Sequence, residues 1–339
     1  MEEIVTLAHG AGGAEMSSLI KKLVDLVSLK KIEGGTGLSE LEDSALLPVG
    51  EGNYLAITTD SYTVNPIFFP GGNIGKLAAT GTINDLAVMG AKPLAFLDTI
   101  VVEEGFPLDK LYEIVKSMVD VLEKKNIALI GGDFKVMPRG SLDKIVISTT
   151  GVGFVSKENL IRNNGLKPGD KIIVSGTIGD HGAVIMACQA GIEVESSLTS
   201  DCTPVIDIIE TVQRITKIHA AKDPTRGGLA MALNDLAKKS EVSIIIYEEN
   251  IPIKEEVLAY CEMLGVDPLV LACEGRVVMG VEGSIAEEVL KELKSRGYTE
   301  AAIIGEAVDK KPPRVYMKTS VGGTRIVEEP MGEIVPRIC

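Results

Sequence analysis

Four aspartates stand at places in the sequence where a folded chain could bring carboxylates to a metal ion. Each lies at or just after a strand-like run, inside an apolar helical pattern or in a glycine-rich turn: Asp43, Asp60, Asp85 and Asp133. Carboxylate oxygens are the ligands that Mg²⁺ prefers, and Mg²⁺ bridges them to phosphate oxygens. Taken singly, each aspartate is more typical of a helix cap or a turn. The set as a whole favours chemistry on a metal-bound phosphate.

Two of these aspartates have informative neighbours. Asn84 and Asp85 fall inside the apolar helical pattern LAATGTINDLAVMG, where a charged group needs a partner. Asp133 follows Gly131 and Gly132 after the strand-like run IALI, and we predict a turn there whose bare backbone can approach a ligand. We therefore expect both places to contact a phosphate-bearing ligand.

Glycine-rich segments supply a second element of phosphate binding. HGAGG precedes a helical pattern, so free N–H groups at Gly10, Gly12 and Gly13 and the helix dipole could receive a phosphate. Segments 71–73 and 225–228 also precede helical patterns. The sequence contains no GxxxxGK[ST] and no GxGxxG after a strand, so neither a P-loop nor a Rossmann site is predicted.

Cys339 differs from the other cysteines in its surroundings. Cys188, Cys261 and Cys273 lie in apolar contexts typical of small core residues. The five cysteines form no CxxC pair, which supports neither a disulfide framework nor a zinc site. Cys339 ends the sequence behind a tail, residues 328–339, that would span roughly 40 Å when fully extended. Its thiol could then visit sites inside and outside the protein.

The composition of the tail is unusual for a frayed terminus. Pro330 and Pro336 cannot donate ladder hydrogen bonds, which favours mobility. The apolar residues of the tail weigh against a purely solvated segment; they are Ile334, Val335 and Ile338. Arg337 would favour the thiolate form of Cys339, and an adjacent terminal carboxylate would disfavour it.

The elements that position these residues alternate between strand and helix patterns. In residues 1–155, runs rich in Val, Ile and Thr alternate with helical patterns, and the segment LIRNNGLKPGD is typical of a linker. Residues 156–327 repeat the alternation from KIIVSGTIGD onward, without a convincing sequence repeat between the halves. We predict a mixed α/β or α+β protein of two domains, followed by the mobile tail.

Composition narrows the functional classes. A chain of 339 residues with 45% hydrophobic content has room for two packed cores. Its net charge of −14 opposes non-specific binding of nucleic acid. No apolar run approaches the roughly 18 residues that span a bilayer, and the first residues lack the basic and apolar regions of a signal peptide. We expect a cytoplasmic protein that binds neither nucleic acid nor membrane.

Several motifs together resemble one known family. They are LAHGAGG, EDSA, ITTDSY, NDLAVMGAKP, GGDFKV, SGTIGDHG, DPTRGGL, ACEGR and the final PRIC, and they extend over essentially the whole chain. This set is similar to the hydrogenase maturation factor HypE, of the superfamily that includes aminoimidazole ribonucleotide synthetase, thiamine-monophosphate kinase and selenophosphate synthetase. The spaced aspartates and NDLAVMGAKP are shared widely in the superfamily, while SGTIGDHG and the final PRIC are specific to HypE.

The resemblance implies both a fold and a reaction. It implies an N-terminal domain, residues 1–155, that binds ATP with Mg²⁺ and pairs with a second copy in a homodimer, and a C-terminal α/β domain. The implied reaction is ATP-dependent dehydration of a carbamoyl group on Cys339 to a thiocyanate, the source of cyanide for [NiFe]-hydrogenases. The implied partners are the carbamoyltransferase HypF and an iron-carrying HypC–HypD complex.

The resemblance also assigns roles to individual residues. The likeness implies that the four aspartates bind metal and phosphate, that Lys135 neutralises phosphate charge and that Glu274 is the base. Lys135 could equally be a solvated charge, and an ion pair with Arg276 is an alternative role for Glu274. His9 and His181 are possible helpers, while His219 has no motif and is assigned to structure.

Two other functional classes stay open on the sequence. A kinase or synthetase of the same superfamily would act on a free metabolite, with the tail irrelevant. A non-catalytic carrier would only ferry a group on Cys339, although a carrier has no need of placed aspartates and glycine loops. Selenophosphate synthetase is disfavoured, because HGAGG offers neither of the reactive Cys and Lys residues of that enzyme.

Overall fold

The computed structural model of the chain describes residues 4–192, 198–332, 335 and 337–339. The first part contains two helices that pack against a sheet and one that lies before it. In order, its elements are α1 (Ala14–Asp25), β1 (Ala45–Gly50), β2 (Asn53–Tyr62), β3 (Phe68–Phe69), β4 (Gly72–Asn73), α2 (Ile74–Val88), β5 (Lys92–Glu103), α3 (Leu108–Lys124), β6 (Ala128–Met137) and β7 (Ile145–Ser156).

The main sheet of this part has the strand order β1-β2-β7-β5-β6 within the described residues. Neighbouring strands are antiparallel, apart from the parallel pair β5–β6, whose crossover is α3. Side chains along β7 are buried at every second position, as expected for a strand with one covered face. Helices α2 and α3 cover that face.

Helix α2 lies between the two parts of the chain, which explains its unusual sequence. Nearly all of its residues are buried, because it packs on β2 and β7 on one side and on elements of the second part on the other. The side chain of Asn73 caps it by accepting hydrogen bonds from the N–H groups of Gly75 and Lys76. A helix that is apolar all round is typical of such a buried position.

The second part is a mixed sheet with helices. Its elements are β8 (Lys171–Val174), α4 (Asp180–Gln189), α5 (Ile206–Gln213), β9 (Ile218–Lys222), α6 (Gly228–Lys239), β10 (Ser243–Tyr247), α7 (Glu255–Leu264), β11 (Val278–Val281), α8 (Ala286–Ser295), β12 (Ala302–Val308), β13 (Val315–Lys318) and β14 (Thr324–Val327). The strand order in the described residues is β14-β13-β10-β12-β8-β11-β9. The predicted mixed α/β class is confirmed. None of the helices in the described part of the chain is long and apolar enough to cross a bilayer.

One local prediction is wrong. Residues 131–133 do not form a turn, because β6 runs without interruption from Ala128 to Met137 in parallel pairing with β5. The two glycines lie inside the strand, and Gly132 allows close approach to the side chain of Asp98 on β5. A glycine pair after an apolar run is typical of a chain reversal, whereas sheet pairing requires this one to stay extended.

The outer edge of this sheet is unprotected. Strand β6 pairs with β5 on one side only, and all its residues are exposed. Its exposed side chains include Leu129, Ile130, Phe134 and Val136. A long apolar edge strand of this kind is a template for pairing with another chain.

The close approach of α2 and α3 yields a stability prediction. An added Cβ at Gly75 would overlap the carbonyl oxygen of Ile114 on α3. We expect Gly75→Ala to lower the free energy of unfolding by about 2 kcal/mol or more, since backbone atoms cannot yield as side chains do. Chemical denaturation measures the difference. Gly10→Ala, where a Cβ meets nothing within 4 Å, is the matched control; equal stabilities of the two variants would contradict the packing described.

Candidate active site

A groove of about 930 Å³ runs between the two parts of the chain and is lined by four of the predicted site residues, Gly12, Asp43, Asp60 and Asp85. Cys339, Glu274, Asp133 and Lys135 do not line it. Apolar side chains of α1 and the loop after it contribute to the lining, among them Met16, Ile20, Leu29 and Leu38. Charged groups line it as well, among them Asp43, Asp60, Asp85, Lys222, Arg226 and Asp235. A lining of both kinds suits a ligand that joins a flat apolar ring to phosphates.

Three carboxylates are close enough to share one cation. Oxygens of Asp43, Asp85 and Asp223 lie within 4.8 Å of one another. Asp43 lies just before β1, Asp85 on α2, and Asp223 directly after β9. The hydroxyl of Thr58 donates to Asp85 over 2.8 Å, and the amide of Asn163 donates to Asp43 over 3.1 Å. Both parts of the chain therefore contribute ligands.

The protonation of this group shows how strongly it requires positive charge. Burial, with the charges of Asp60 and Asp223, raises the pKa of Asp85 well above its usual value. Burial, with the charge of Asp43, raises the pKa of Asp223 to about 7. Burial also raises the pKa of Asp60, against the opposing charge of Arg226. Hard oxygen donors with unfavourable ionisation fit a divalent cation, which would remove the repulsion.

One lysine supplies part of that charge. Lys222 on β9 forms a salt bridge with Asp43 and lies 3.7 Å from Asp235. Burial opposes ionisation of Asp43, but Lys222 and Asn163 outweigh it and hold the pKa of Asp43 below its usual value. The same carboxylates raise the pKa of Lys222 despite its burial. Even with Lys222 at Asp43 and Arg226 acting on Asp60, the pKa values of Asp60, Asp85 and Asp223 stay raised, so the carboxylates are undercompensated.

Asp133 and Lys135 lie apart from this group in the described chain. On β6 they are exposed and pair with each other at 2.6 Å, and Lys135 lowers the pKa of Asp133. Their strand is separated from β2, which carries Asp60, by β7 and β5. At about 4.8 Å per strand this places them roughly 14 Å from Asp60. One copy of the chain does not bring them to the three carboxylates.

The last residues of the tail dock into the protein. Val335 and Ile338 are buried in the core cluster that contains Phe69 and Ile185. The N–H of Thr63 donates to the carbonyl oxygen of Cys339 over 3.0 Å, and the Thr63 hydroxyl donates to the same oxygen over 3.2 Å. Ile334 and Pro336, also noted in the sequence, lie outside the described residues.

A second tail contact changes the expected role of Arg337. The N–H of Asn65 donates to the carbonyl of Arg337 over 3.0 Å, and the Arg337 guanidinium donates to the carbonyl of Thr63 over 2.7 Å. The Nη1 atom of Arg337 pairs with the carboxylate of Asp143. Arg337 therefore anchors the tail, and a different arginine acts on the thiol.

That arginine is Arg226, from the DPTRGG motif. Burial raises the pKa of the Cys339 thiol to about 12, and the positive charge of Arg226 opposes this, while Glu274 and Asp60 add to it. In return, the thiol is the largest influence that raises the pKa of Arg226. Cys339, Arg226, Glu274 and Asp60 thus share one electrostatic environment inside the protein.

Glu274 is buried, with 1% of its surface exposed, and its carboxyl oxygen Oε1 has no hydrogen-bond partner among the described residues. Burial, with the charges of Asp201, Asp223 and Asp60, raises its pKa well above the usual value. An ion pair with Arg276, the alternative role, is not formed: Arg276 pairs instead with Asp180 and Asp201.

The backbone around Glu274 is held rigidly. The carboxylate of Asp201 accepts hydrogen bonds from the N–H groups of Glu274 and Gly275, each over 3.1 Å. The amide of Asn84 donates to the carbonyl of Glu274 over 3.0 Å. Asn84 therefore has a clear role in joining α2 to this loop, and it does not face the groove.

Two glycines of HGAGG, Gly12 and Gly13, allow close packing of the loop. At Gly12 (φ +81°) a Cβ would lie 2.6 Å from Cβ of Arg226, and at Gly13 it would overlap the carbonyl oxygen of Pro330. Gly10 accepts through its carbonyl a hydrogen bond of 3.4 Å from Arg226. The loop thus packs against the segment that carries Arg226.

The three histidines occupy different settings. His9 contacts Thr6 in an exposed turn, and His219 pairs with Asp170 at 2.9 Å, away from the groove. His181 is fully buried and contacts the tail.

Sequence analysis missed four charged residues at or beside the three carboxylates: Lys222, Asp223, Arg226 and Asp235. Asp223 follows strand β9 directly, and an aspartate next to a strand-like run is the signal that identified Asp60, which the structure places inside β2. The DPTRGG segment was predicted only as a glycine loop. Lys222 gave no signal, because its partners Asp43 and Asp235 are distant in sequence.

Comparisons with known proteins agree with this geometry. Residues 41–155 match the family model described as AIR synthase related protein, N-terminal domain, and residues 167–318 match its C-terminal domain. Carbamoyl dehydratase HypE of Rhodobacter capsulatus is 40% identical over 100% of this chain and 99% of its own length. Carbamoyl dehydratase HypE of Escherichia coli is 39% identical over 99% of each chain.

Solved structures give the same result. The crystal structure of a HypE–HypF complex contains a chain with a TM-score of 0.84 and 41% identity, covering 92% of this chain and all of that one. A HypE structure in complex with ATP has a TM-score of 0.81 and 36% identity, covering 99% of this chain and all of that one.

The raised pKa of Asp223 yields a prediction about pH. Its pKa is about 7 in the folded protein and about 3.8 when unfolded, so the folded state binds the extra proton and loses stability as pH rises through 7. We therefore compare the free energy of unfolding of Asp223→Asn with that of the unmodified protein, without divalent cations. The difference in favour of the variant should be about 2 kcal/mol larger at pH 8 than at pH 5. Chemical denaturation in a chelator measures this. A stability difference that is the same at both pH values would contradict the assignment.

Proposed function

The chain belongs to the HypE family of carbamoyl dehydratases, a branch of the AIR synthase related proteins, and we propose that it dehydrates a carbamoyl group on the thiol of Cys339 to a thiocyanate. The reaction consumes ATP and supplies cyanide for [NiFe]-hydrogenase maturation. The observation that carries this assignment is the thiol itself. Cys339 is partly buried and packs against a core cluster, and its thiol shares an electrostatic environment with Arg226, Glu274 and Asp60 of the groove.

The chemistry explains why such surroundings are needed. Removing water from S–C(=O)–NH₂ means expelling the carbonyl oxygen, a poor leaving group. Transfer of the γ-phosphoryl group of ATP to that oxygen gives S–C(OPO₃²⁻)=NH with loss of one N–H proton. Loss of the second N–H proton then expels phosphate and leaves S–C≡N. The site must neutralise phosphate charge and accept two protons.

We assign a magnesium ion and ATP to the groove. Asp43, Asp85 and Asp223 would hold the cation, with Asp60 beside them, and Mg²⁺ would neutralise the phosphate charge as it develops. The apolar lining residues Met16, Ile20, Leu29 and Leu38 suit adenine. Gly12 and Gly13 then support the groove by their packing against Arg226 and Pro330, and the carbonyl of Gly10 accepts a hydrogen bond from Arg226.

Glu274 and Arg226 act on the carbamoyl group in this proposal. The unpaired carboxyl of Glu274 is buried in the surroundings of the thiol and is the proton acceptor we favour. Asp60 and Asp223 are two of the charges that keep its pKa high, so their neutralisation lowers that pKa and makes Glu274 a competent base. Arg226 offers positive charge to the carbamoyl oxygen during transfer.

We propose that the protein works as a homodimer through its N-terminal sheet. The face of this sheet away from α2 is only partly buried and carries Leu97, Val101 and Phe154. The exposed strand β6 continues it. A second copy that covers both would remove this apolar surface from water. It would also explain why Asp133 and Lys135 face outward: they would then serve the groove of the partner copy.

The docked position of Cys339 determines how partner proteins can reach its thiol. A docked thiol cannot meet another protein, so the tail must leave its site to receive a carbamoyl group and again to deliver cyanide. We propose HypF as the donor, in line with the solved complex between HypF and a related HypE. We propose a HypC–HypD complex as the acceptor. All five cysteines are free thiols, which fits the reducing cytoplasm proposed for this reaction.

Dehydration is measurable as a mass change at Cys339. After incubation with HypF, carbamoyl phosphate, ATP and Mg²⁺, the C-terminal peptide should carry a carbamoyl group and then lose one water. We expect Glu274→Gln to accept the carbamoyl group but to dehydrate it at least 100-fold more slowly, since it cannot accept the proton. Glu292→Gln, in a surface ion pair with Arg296 on α8, is the control. A free-metabolite kinase would phosphorylate its substrate without Cys339, and a carrier would never lose water.

The dimer proposal has its own test. Ile130→Asp introduces a charge on the exposed strand β6 and should convert the dimer to a monomer, measured by light scattering after gel filtration. Met263→Asp, at an exposed position on α7, should leave the mass unchanged. A monomeric unmodified protein, or a dimeric Ile130→Asp variant, would contradict the proposed interface.

A further inference from the structure

In the described part of the chain, the buried ring of His181 contacts the backbone of the tail. It lies in the first turn of α4, is fully buried, and uses both ring nitrogens. Nδ1 lies 2.8 Å from the hydroxyl of Ser200, and Nε2 lies 2.8 Å from the carbonyl oxygen of Ile338. The ring of Phe69 meets it edge-on, with centroids 5.3 Å apart.

The hydrogen-bond partners determine where the proton of the ring must be. A carbonyl oxygen only accepts, so Nε2 carries the hydrogen that is donated to Ile338. The Ser200 hydroxyl already accepts from the N–H of Cys202 over 3.2 Å, and its own proton is free to be donated to Nδ1. Burial lowers the pKa of His181, in keeping with a neutral ring. The hydrogen bonds that run from Ser200 through His181 to Ile338 therefore give each nitrogen of the ring a matching partner.

The support behind this chain is rigid. The N–H of Ser200 donates to the carbonyl of Pro70 over 2.9 Å, which ties the segment before α5 to the N-terminal part. The contacts of Thr63 and Asn65 with residues 337 and 339 come from that same N-terminal part. From the C-terminal part, Lys238 pairs with Glu329 at the start of the tail, and His181 contacts Ile338, the residue immediately before the reactive Cys339.

We propose that His181 is a positioning residue that holds the tail in the site through the carbonyl of Ile338 and thereby places Cys339 next to Arg226 and Glu274. Ser200 orients its ring. The catalytic consequence rests on the proposed function, whereas the docking of the tail does not. From the sequence, His181 was only a possible helper.

Alkylation of Cys339 tests the proposal directly. The full-length protein without ATP is pulsed with iodoacetamide, and each cysteine peptide is quantified by mass spectrometry. In His181→Leu the buried carbonyl of Ile338 loses its donor, so Cys339 should react about 10-fold faster or more. His181→Gln, whose amide can donate to the same carbonyl, should restore most of the protection. Ser200→Ala should give a smaller increase.

Internal controls separate docking from general loosening. Cys202 and Cys261 are buried in the same core cluster as the tail, and His219→Gln changes a histidine whose ring forms a hydrogen bond with Asp170, away from the tail. The proposal predicts that Cys202 and Cys261 keep their reactivity in His181→Leu. It also predicts that Cys339 of His219→Gln reacts at the same rate as Cys339 of the unsubstituted protein. A parallel rise at all three cysteines, no rise at Cys339, or no rescue by glutamine would overturn it.

Single-turnover dehydration supplies the catalytic readout. In carbamoylated His181→Leu the rate should fall at least threefold while ATP affinity stays unchanged, because the groove is intact. An unchanged rate would overturn the positioning role. If the unmodified protein fails to dehydrate Cys339 while the alkylation contrast stands, the proposed function fails and the docking role of His181 remains.

Discussion

The structure depends on an imbalance of charge in one groove. Asp43, Asp60, Asp85 and Asp223 meet where the two parts of the chain join, and the raised pKa values of the last three show that Lys222 and Arg226 do not compensate them fully. Such a group is stable only if protons or a cation complete it. In the proposed function a cation, held together with a phosphate-bearing ligand, completes this group where the two sheets and α2 converge.

The same convergence places the tail. The C-terminal residues occupy a site whose contacts come mainly from backbone groups of residues 63–65 and from His181. A thiol with a pKa of about 12 is protected from premature reaction while it lies there. Because the tail is covalently attached, its thiol reaches the groove at a high effective concentration, and catalysis can rely on orientation. The opposing requirement, access for partner proteins, is met by a docking site made of few hydrogen bonds.

Much of this arrangement could be predicted from sequence. Asp43, Asp60 and Asp85 stand out by their places at strand ends and in an apolar helix, and the mixed α/β class follows from the alternation of patterns. The remainder depends on contacts between distant residues. The closeness of Asp223 to Asp43 and Asp85 depends on the packing of β9 near α2. For Glu274, the alternative of an ion pair with Arg276 could not be decided, because Asp180 and Asp201, which pair with that arginine, are distant in sequence. Gly131–Gly132 suggested a turn where β5 holds an extended strand. Pairing partners of this kind leave no local signal.

The most direct test of the proposed reaction follows the carbamoyl oxygen. Cys339 is carbamoylated with a group that carries ¹⁸O, and the protein is given unlabelled ATP and Mg²⁺ in unlabelled water. Phosphoryl transfer to the carbamoyl oxygen predicts that the ¹⁸O appears in inorganic phosphate, one atom for each thiocyanate formed. Label recovered in water, with unlabelled phosphate, would contradict the claim that the thiol and the phosphate groove act as one active site.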